Sequence, residues 1–339
     1  MPALVISLDF ELFWGVSESR TIENYGENIR GVWQAVPAML KLFERYGIHA
    51  TWATVGMLMC KDYKQWCDFR PDLMPTYGRK ECSTYSVAEL ARKFPTLFFA
   101  PPLVEQILAT PGQELGSHTY SHFYCSEKDT TAAQFAADLD CAKRIFDSYN
   151  VKPSSFVFPR NQICEAYMDM LSAAGFTAYR GNQDHWIYRN GHLAPVAFGS
   201  LRRLMRIGDT YFPITGNHTS SWPTDVSQDQ LINLPASRFL RPVSSYSTVN
   251  ELQMHWIMRG MKEAAMTQRI FHLWWHPHNF GRNTEENLNN LEKLLMYYRE
   301  LNNQYGMMSL SMKDVDQLCR IKKVSYAEKN KDMSRHIVA

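Results

Sequence analysis

The chain has 339 residues, 45% of them hydrophobic and 13% aromatic, which is enough apolar material for one large globular domain or two modest ones. Its 36 basic and 34 acidic residues leave a formal charge of +2, so no strong field is available to recruit nucleic acid, and we expect no nucleic-acid partner. Seven scattered cysteines without a CxxC pair argue against a disulfide framework or a cysteine zinc site.

The chain opens with the apolar run ALVISLD over residues 3–9, which predicts a buried strand with Asp9 at its carboxyl end. Asp9 and Glu11 stand where a secretory signal would be apolar, and no run of about 18 apolar residues occurs, so we expect a cytoplasmic protein without a transmembrane segment. Apolar residues at helical spacing over 28–46, ending at Gly47, and the strand-like HATWATVG complete a βαβ opening.

Strands and helices continue to alternate up to about residue 320. We predict strands at 113–117, 154–158, 176–179, 269–274 and 306–310, and helices over 131–148, 163–173, 249–266, 284–304 and near the terminus. Repeated βα units with apolar strands predict a single parallel barrel over residues 1–320. Two long segments, 60–100 and 187–248, interrupt the pattern, and we expect them to be loops over the mouth of the barrel. Residues 321–339 read as a polar C-terminal tail.

Chemically unusual residues cluster directly after predicted strands. They fall in four segments, which are Asp9–Glu11, Ser117–His122, Phe158–Asn161 and Phe271–Gly281. In a βα barrel the carboxyl ends of the strands meet on one face, so segments far apart in sequence can share one site.

Two of these segments predict a metal site and a base. His118 and His122 are four residues apart, which would place both imidazoles on one side of a helical turn and, with a carboxylate, form an open site for a divalent ion. The alternative is a pair of surface or capping histidines. Asp9 and Glu11 are two apart and point the same way if the chain stays extended, so one could bind metal while the other acts as a base. The alternative is ordinary charge at a strand end.

The order of five short motifs indicates a family. SLDFE, GSHTYSH, FVFPR, the segment from Asp184 to Trp186, and LWWHPH occur in the order found in polysaccharide deacetylases. By these motifs the sequence resembles a divergent cytoplasmic branch of the polysaccharide-deacetylase (NodB-like, carbohydrate esterase family 4) superfamily over roughly residues 1–281. The resemblance implies a distorted (β/α) barrel with about seven parallel strands and an Asp-His-His site for a divalent metal, Zn²⁺ first, with Co²⁺, Ni²⁺ or Mn²⁺ as alternatives.

The resemblance also implies roles for individual residues. By position, Asp9 matches the family's general base, and His118 and His122 match its metal histidines. The family's second Asp is replaced by Phe10, and we predict that Glu11 supplies the metal carboxylate instead.

The third and fourth motifs are looser. Arg160 matches the arginine that orients the base, although here it follows the proline, and the backbone amide of Asn161 would face the oxyanion. Asp184 would orient the acid and Trp186 would form an aromatic wall. A loop charge and a core aromatic are the alternatives for these two residues.

Three histidines of the last motif are candidates for the general acid. His272 lies inside an apolar strand and fits a buried structural residue. Pro277 must end the strand, which would expose His276 at the mouth of the barrel, so we predict His276 as the acid and place His278 among the substrate contacts.

Together with these residues, the resemblance implies a metal-dependent sugar N-deacetylase. It would remove an N-acyl group, an acetyl first of all, from an amino sugar in a glycan precursor for O-antigen, capsule or a related polysaccharide, carried by a nucleotide or a lipid. Trp14 and Trp186 could stack on a sugar ring, with core packing as the alternative. Arg238 and Arg241 could hold an anionic handle, or be surface charges. Rival functions are an amidohydrolase of a small cyclic amide or ureide and a non-catalytic glycan-binding relative. A homo-oligomer is compatible with the sequence.

Overall fold

The computed structural model describes residues 1–188, 199–224, 226–227 and 230–321. The predicted tail from residue 322, and residues 189–198 of the long segment 187–248, lie outside the described residues.

Nine described strands form one sheet in which every pairing between named strands is parallel. They are β1 (Ala3–Phe10), β2 (Ala50–Thr54), β3 (Gln113–Ser117), β4 (Ser155–Phe156), β5 (Ala178–Gly181), β6 (Ile232–Pro235), β7 (Arg238–Phe239), β8 (Ile270–Trp275) and β9 (Met308–Leu310). The order is β6-β5-β4-β3-β2-β1-β8-β7, and β9 pairs with β1. This confirms the predicted distorted (β/α) barrel.

The two ends of the sheet are joined by a single stretch of chain. β6 pairs with β5 and β7 pairs with β8, and only Ala236 and Ser237 separate β6 from β7. Ala236 N donates to Gly181 O at 2.9 Å and Ser237 N donates to His272 O at 2.8 Å, so the hydrogen bonding passes from one neighbour to the other without a break. Residues 232–239 therefore act as one bent strand that closes a barrel of seven strand positions.

Helices lie between the strands. They are α1 (Ile22–Tyr46), α2 (Tyr63–Phe69), α3 (Ala88–Lys93), α4 (Pro101–Ala109), α5 (Ala132–Asp147), α6 (Met168–Ala173), α7 (Gly199–Tyr211), α8 (Ser247–Thr267) and α9 (Thr284–Tyr305), followed by helical residues 312–321. Both α1 and α5 begin with a capping box, at Thr21 and Thr131, and α1 ends at Gly47 in the left-handed region. No described helix combines the length and apolar character needed to cross a bilayer.

Alternation along β1 separates two environments. Leu4, Ile6, Leu8 and Phe10 belong to the large apolar core beneath the helices. The intervening side chains face the interior of the barrel, first Ala3 and Val5 in a small apolar cluster, then the polar Ser7 and Asp9 nearer the carboxyl end. The polar end of the interior is where the site lies.

The two long segments contain regular structure that was not predicted. Residues 60–100 include α2 and α3, and 187–248 include α7, β6 and β7. These elements are short or polar, and β6 contains Pro235. The sequence therefore shows no extended periodic spacing of apolar residues that would predict them.

Candidate active site

Glu11, His118 and His122 come together just beyond the carboxyl ends of β1 and β3. One donor atom from each lies within 4.8 Å of the other two, and all three side chains are buried. Glu11 Oε2 is 3.5 Å from His118 Nε2 and 3.1 Å from His122 Nε2, so both imidazoles face the same carboxylate oxygen. The ligand atoms of the three residues predicted to bind metal thus surround one position.

The protonation of this cluster suits a cation. His118 Nδ1 lies 2.8 Å from Val157 O, which can only accept, so Nδ1 carries a proton and Nε2 is the nitrogen that faces Glu11. That buried Nε2 has no hydrogen-bond partner among the described residues. Burial lowers the pKa of His122, and although burial raises the pKa of Glu11, the nearby His276 and His122 hold it well below its usual value. Two neutral imidazoles and a carboxylate are a ligand set for a divalent metal ion.

The loop that carries the two histidines is not the helical turn that we predicted. Residues 118–122 follow β3 as irregular chain, with Thr119 and His122 in the left-handed region at φ 62° and 57°. Asp138 of α5 accepts hydrogen bonds from the amides of Tyr120 at 2.7 Å and Ser121 at 3.0 Å, and from the Ser121 hydroxyl. This buried carboxylate satisfies the turn's amides and so fixes the spacing of the two imidazoles.

Glu11 rests directly on Gly15. A β-carbon at residue 15 would lie 2.0 Å from Glu11 Cδ and 2.3 Å from both of its carboxylate oxygens. Only glycine therefore leaves room for the carboxylate where it now stands.

Asp9 is held by Arg180 rather than by Arg160. Arg180 of β5 donates to Asp9 Oδ1 at 2.6 Å and to Oδ2 at 2.8 Å, and its side chain is fully buried. Burial raises the pKa of Asp9, but the charge of Arg180 and its hydrogen bonds to the carboxylate leave that pKa below its usual value. The prediction that Arg160 orients the base is wrong. Left-handed backbone at Arg160 (φ 55°) turns that side chain away, to pair with Glu18 at 3.0 Å.

A chain of hydrogen bonds in the barrel interior, through His272 and Ser7, supports Arg180. His272 Nδ1 is 3.1 Å from Leu234 O, and its Nε2 is 2.9 Å from Ser7 Oγ. Burial lowers the pKa of His272 to about 3, so the ring is neutral and Nε2 accepts from the Ser7 hydroxyl. Ser7 Oγ in turn accepts from Arg180 Nη1 at 3.1 Å. His272 is thus a structural residue of the barrel interior, as its place in the strand predicted.

His276 and His278 differ in exposure. His276 Nε2 lies 3.7 Å from both Asp9 Oδ2 and Glu11 Oε1, and its side chain is 24% exposed. His278 stacks on His276 with ring centroids 4.9 Å apart but is itself 4% exposed, and burial lowers its pKa to about 3. Of the two rings, His276 is the one at the mouth.

Several predicted site residues lie elsewhere or act differently. The Asn161 amide donates to Phe158 O at 2.9 Å and so does not face an oxyanion, while the Asn161 side chain accepts from Arg180 at 2.8 Å. Trp14 is fully buried, with its indole N–H donating to Phe98 O at 2.8 Å, which makes it a core aromatic rather than a sugar platform.

The fourth motif does not join the cluster. Asp184 lines a different cavity, beside Thr215 and His218, and the carboxylates next to His276 are Asp9 and Glu11. Asp184 therefore does not orient His276. Trp186 is 55% exposed and packs near His185, so its contact with substrate stays a prediction.

A cavity of about 310 Å³ adjoins the cluster on the side of α7. Its walls include Trp274 and Phe239, whose rings both contact the ring of His276, with centroids 5.6 and 5.7 Å from it. Arg238 and Arg241, predicted as an anion handle, also line this cavity.

The roles of Arg180, Asp138 and Gly15 were not predicted from the sequence. Arg180 carried one usable signal, since an arginine inside an apolar strand needs a buried anionic partner. Gly15 and Asp138 carried none, because each acts through a contact made only in the folded chain.

Comparison with known proteins agrees with the motifs. The sequence model of the family described as Polysaccharide deacetylase matches residues 30–179. None of the curated proteins matches the chain.

Solved structures share the fold at low sequence identity. The chain superposes on a protein described as a polysaccharide deacetylase from Mycobacterium smegmatis with TM-score 0.58 and 12% identity, covering 95% of this chain and 92% of the other. A protein described as a polysaccharide deacetylase from Pseudomonas aeruginosa PAO1 gives TM-score 0.55 at 12% identity, with 93% and 89% covered. Puue allantoinase gives 0.52 at 13% identity, with 93% and 88% covered. The family match over residues 30–179 and the shared fold confirm the resemblance to polysaccharide deacetylases that the motifs predicted.

Proposed function

We propose that this protein is a metal-dependent hydrolase that removes an N-acyl group, an acetyl first of all, from an amino sugar in a glycan precursor. The observation that carries the proposal is the meeting of Glu11, His118 and His122 within 4.8 Å, with Asp9 and His276 directly beside them. The match of residues 30–179 to the polysaccharide deacetylase family supports the reaction class.

Glu11, His118 and His122 would hold the divalent ion. When bound, such an ion lowers the pKa of a water molecule and polarises a carbonyl oxygen. Zn²⁺ suits two imidazoles and one carboxylate, with Co²⁺, Ni²⁺ and Mn²⁺ as alternatives. The Val157 carbonyl would fix the tautomer of His118, as a partner behind a ligating histidine commonly does.

Asp9 would act as the general base. As water attacks the acyl carbon, its carboxylate would take the water proton, while the bidentate contact with Arg180 keeps both oxygens in place. The ion pair also limits how long Asp9 holds the proton, since Arg180 favours the carboxylate form.

His276 would donate the proton that the leaving nitrogen needs when the C–N bond breaks, so that a free amine and a carboxylic acid result. Its position at the mouth, 3.7 Å from both Asp9 and Glu11, supports this role. His278 is buried and its pKa is lowered to about 3, so near neutral pH it has no proton to give.

A second candidate is hydrolysis of a cyclic amide or ureide, favoured by the shared fold with Puue allantoinase. The two candidates call for different substrates at the same residues. A non-catalytic glycan-binding role would require the cluster to be inert.

The test is a substrate panel on the purified protein. N-acetylated amino sugars, free, nucleotide-linked and lipid-linked, and a cyclic ureide are incubated with and without chelator, and products are identified by mass spectrometry. Chelator-sensitive release of acetate supports the proposal, and ring opening of the ureide supports the second candidate.

The variants Glu11→Gln and Asp9→Asn separate the roles of the two carboxylates. Glu11→Gln should lose metal, whereas Asp9→Asn should keep it and lose turnover on the order of 10²-fold. The reverse pattern would exchange the two carboxylates.

A further inference from the structure

The charged residues that line the cavity beside His276 are all basic. Four arginines, Arg160, Arg206, Arg238 and Arg241, are among its lining residues, and no carboxylate is. Arg160 is neutralised by Glu18 at 3.0 Å. No carboxylate in the described part of the chain lies within 4 Å of the guanidinium of Arg238 or Arg241. Unbalanced positive charge at a partly enclosed surface favours an anionic ligand.

Arg238 is a buried residue of the cavity wall. It is 5% exposed, and its Nη1 and Nη2 donate to the carbonyls of Asp209 at 3.1 Å and Gly216 at 2.7 Å. Its Nε is buried without a hydrogen-bond partner among the described residues. The carbonyls satisfy two donors but carry no formal charge, and the carboxylates of Asp209 and Glu263 offset part of the guanidinium charge from a greater distance.

Arg241 supplies the more accessible group. It is half-buried, its Nε donates to Thr210 Oγ1 at 3.3 Å, and the guanidinium lies 5.7 Å from the centre of the Phe239 ring. One edge is thereby anchored, which leaves the terminal nitrogens of a planar fork for a bidentate oxyanion.

The cavity shares a wall with the catalytic cluster. Trp274 lies between them, with the Arg180 guanidinium 4.2 Å from its ring centre and His276 on its edge. An aromatic face of this kind suits a sugar ring. A sugar placed there would have its acyl nitrogen near His276 and a neighbouring substituent in the arginine-lined cavity.

We infer that the substrate is an anionic amino sugar, with a phosphate or carboxylate on or directly linked to the sugar ring, and that Arg238 and Arg241 bind this anion. The inference rests on the proposed deacetylation for its substrate class. The anion site itself rests on the cavity and stands apart from turnover.

Two measurements test it. The first is isothermal titration of inorganic phosphate into the wild-type protein, Arg241→Gln, and Arg299→Gln as a control on the exposed face of α9. Wild type and Arg299→Gln should bind alike, more weakly at high salt, and Arg241→Gln should bind about 10- to 100-fold more weakly, the scale of a lost charge-assisted contact. No binding by wild type, or equal binding by Arg241→Gln, overturns the anion site whether or not the protein is a deacetylase.

The second measurement compares kcat/KM for N-acetylglucosamine 1-phosphate, an N-acetylamino uronic acid, and the neutral methyl glycoside. Preference for either charged sugar supports the inference and identifies the anion, and Arg241→Gln should reduce that preference about 10- to 100-fold. Arg238→Lys, which keeps the charge, serves as a second variant. Equal rates for charged and neutral sugars overturn the inference but leave deacetylation standing. No hydrolysis of any N-acyl sugar overturns the proposed function, and the phosphate titration then decides the anion site alone.

Discussion

Gly15 offers a test of the proposed metal site that changes none of its predicted ligands. In Gly15→Ala the new β-carbon would stand 2.0 Å from Glu11 Cδ, where ordinary contact begins near 3.4 Å. The carboxylate must therefore move by about 1.4 Å. It is the end of a flexible side chain rather than backbone, so we expect the variant to fold with a Tm close to that of the wild type.

The displacement is large on the scale of metal coordination, where ligand distances hold to about 0.2 Å. We expect divalent metal affinity to fall by about 10- to 100-fold, the range seen when support for a ligand is removed. Affinity is measured by competition with a chromogenic chelator, and folding by thermal melting of the metal-free protein. Gly208→Ala is the matched control, because a β-carbon there meets nothing within 4 Å. If Gly15→Ala binds metal as tightly as Gly208→Ala at equal stability, Glu11 is not a ligand in the position described.

Three further changes probe the site. His276→Ala should abolish the basic limb of the pH–rate profile, while His278→Ala should retain it; the opposite result would move the acid to His278. Arg180→Gln should lower kcat by about tenfold or more with metal content unchanged, and Arg160→Gln should not, as steady-state kinetics and elemental analysis would show. Burial raises the pKa of Asp138 from 3.8 to about 6, so folding favours its protonated form and its ionisation destabilises the protein as pH rises through 6. Between pH 7 and pH 5, the free energy of unfolding of metal-free wild type should therefore rise by about 1 kcal/mol relative to Asp138→Asn in urea unfolding; equal pH dependence in both proteins would contradict this.

The sequence predicts the parts of the site that depend on residues near one another in the chain. Asp9 and His118 follow apolar runs whose length and composition mark buried strands, and the geometry of a parallel barrel brings such strand ends together. His276 could be placed because Pro277 must end its strand.

Arg180 could not be predicted in the same way, because the choice between it and Arg160 is made by backbone geometry. A left-handed turn at Arg160 and Asn161 directs one arginine to Glu18, while alternation along β5 directs the other into the barrel. Neither effect produces a periodic pattern of residues that could be recognised in the sequence. The closing strand over residues 232–239 was missed for a related reason, since each half pairs with a different neighbour and neither half is long enough to show a pattern.

The pairing of β1 also bears on how the protein is made. Ala3 pairs with Ile270 and with Met308, so this part of β1 is translated 267 and 305 residues before these two partners. At about 5–20 residues per second, the last of these partners is translated roughly 15–60 seconds later, and until then part of β1 is unpaired and open to association with other chains. Glu11, His118 and His122 all emerge long before β8. The predicted ligands are therefore translated first, and the barrel can close, with His276, only after β8 has been made.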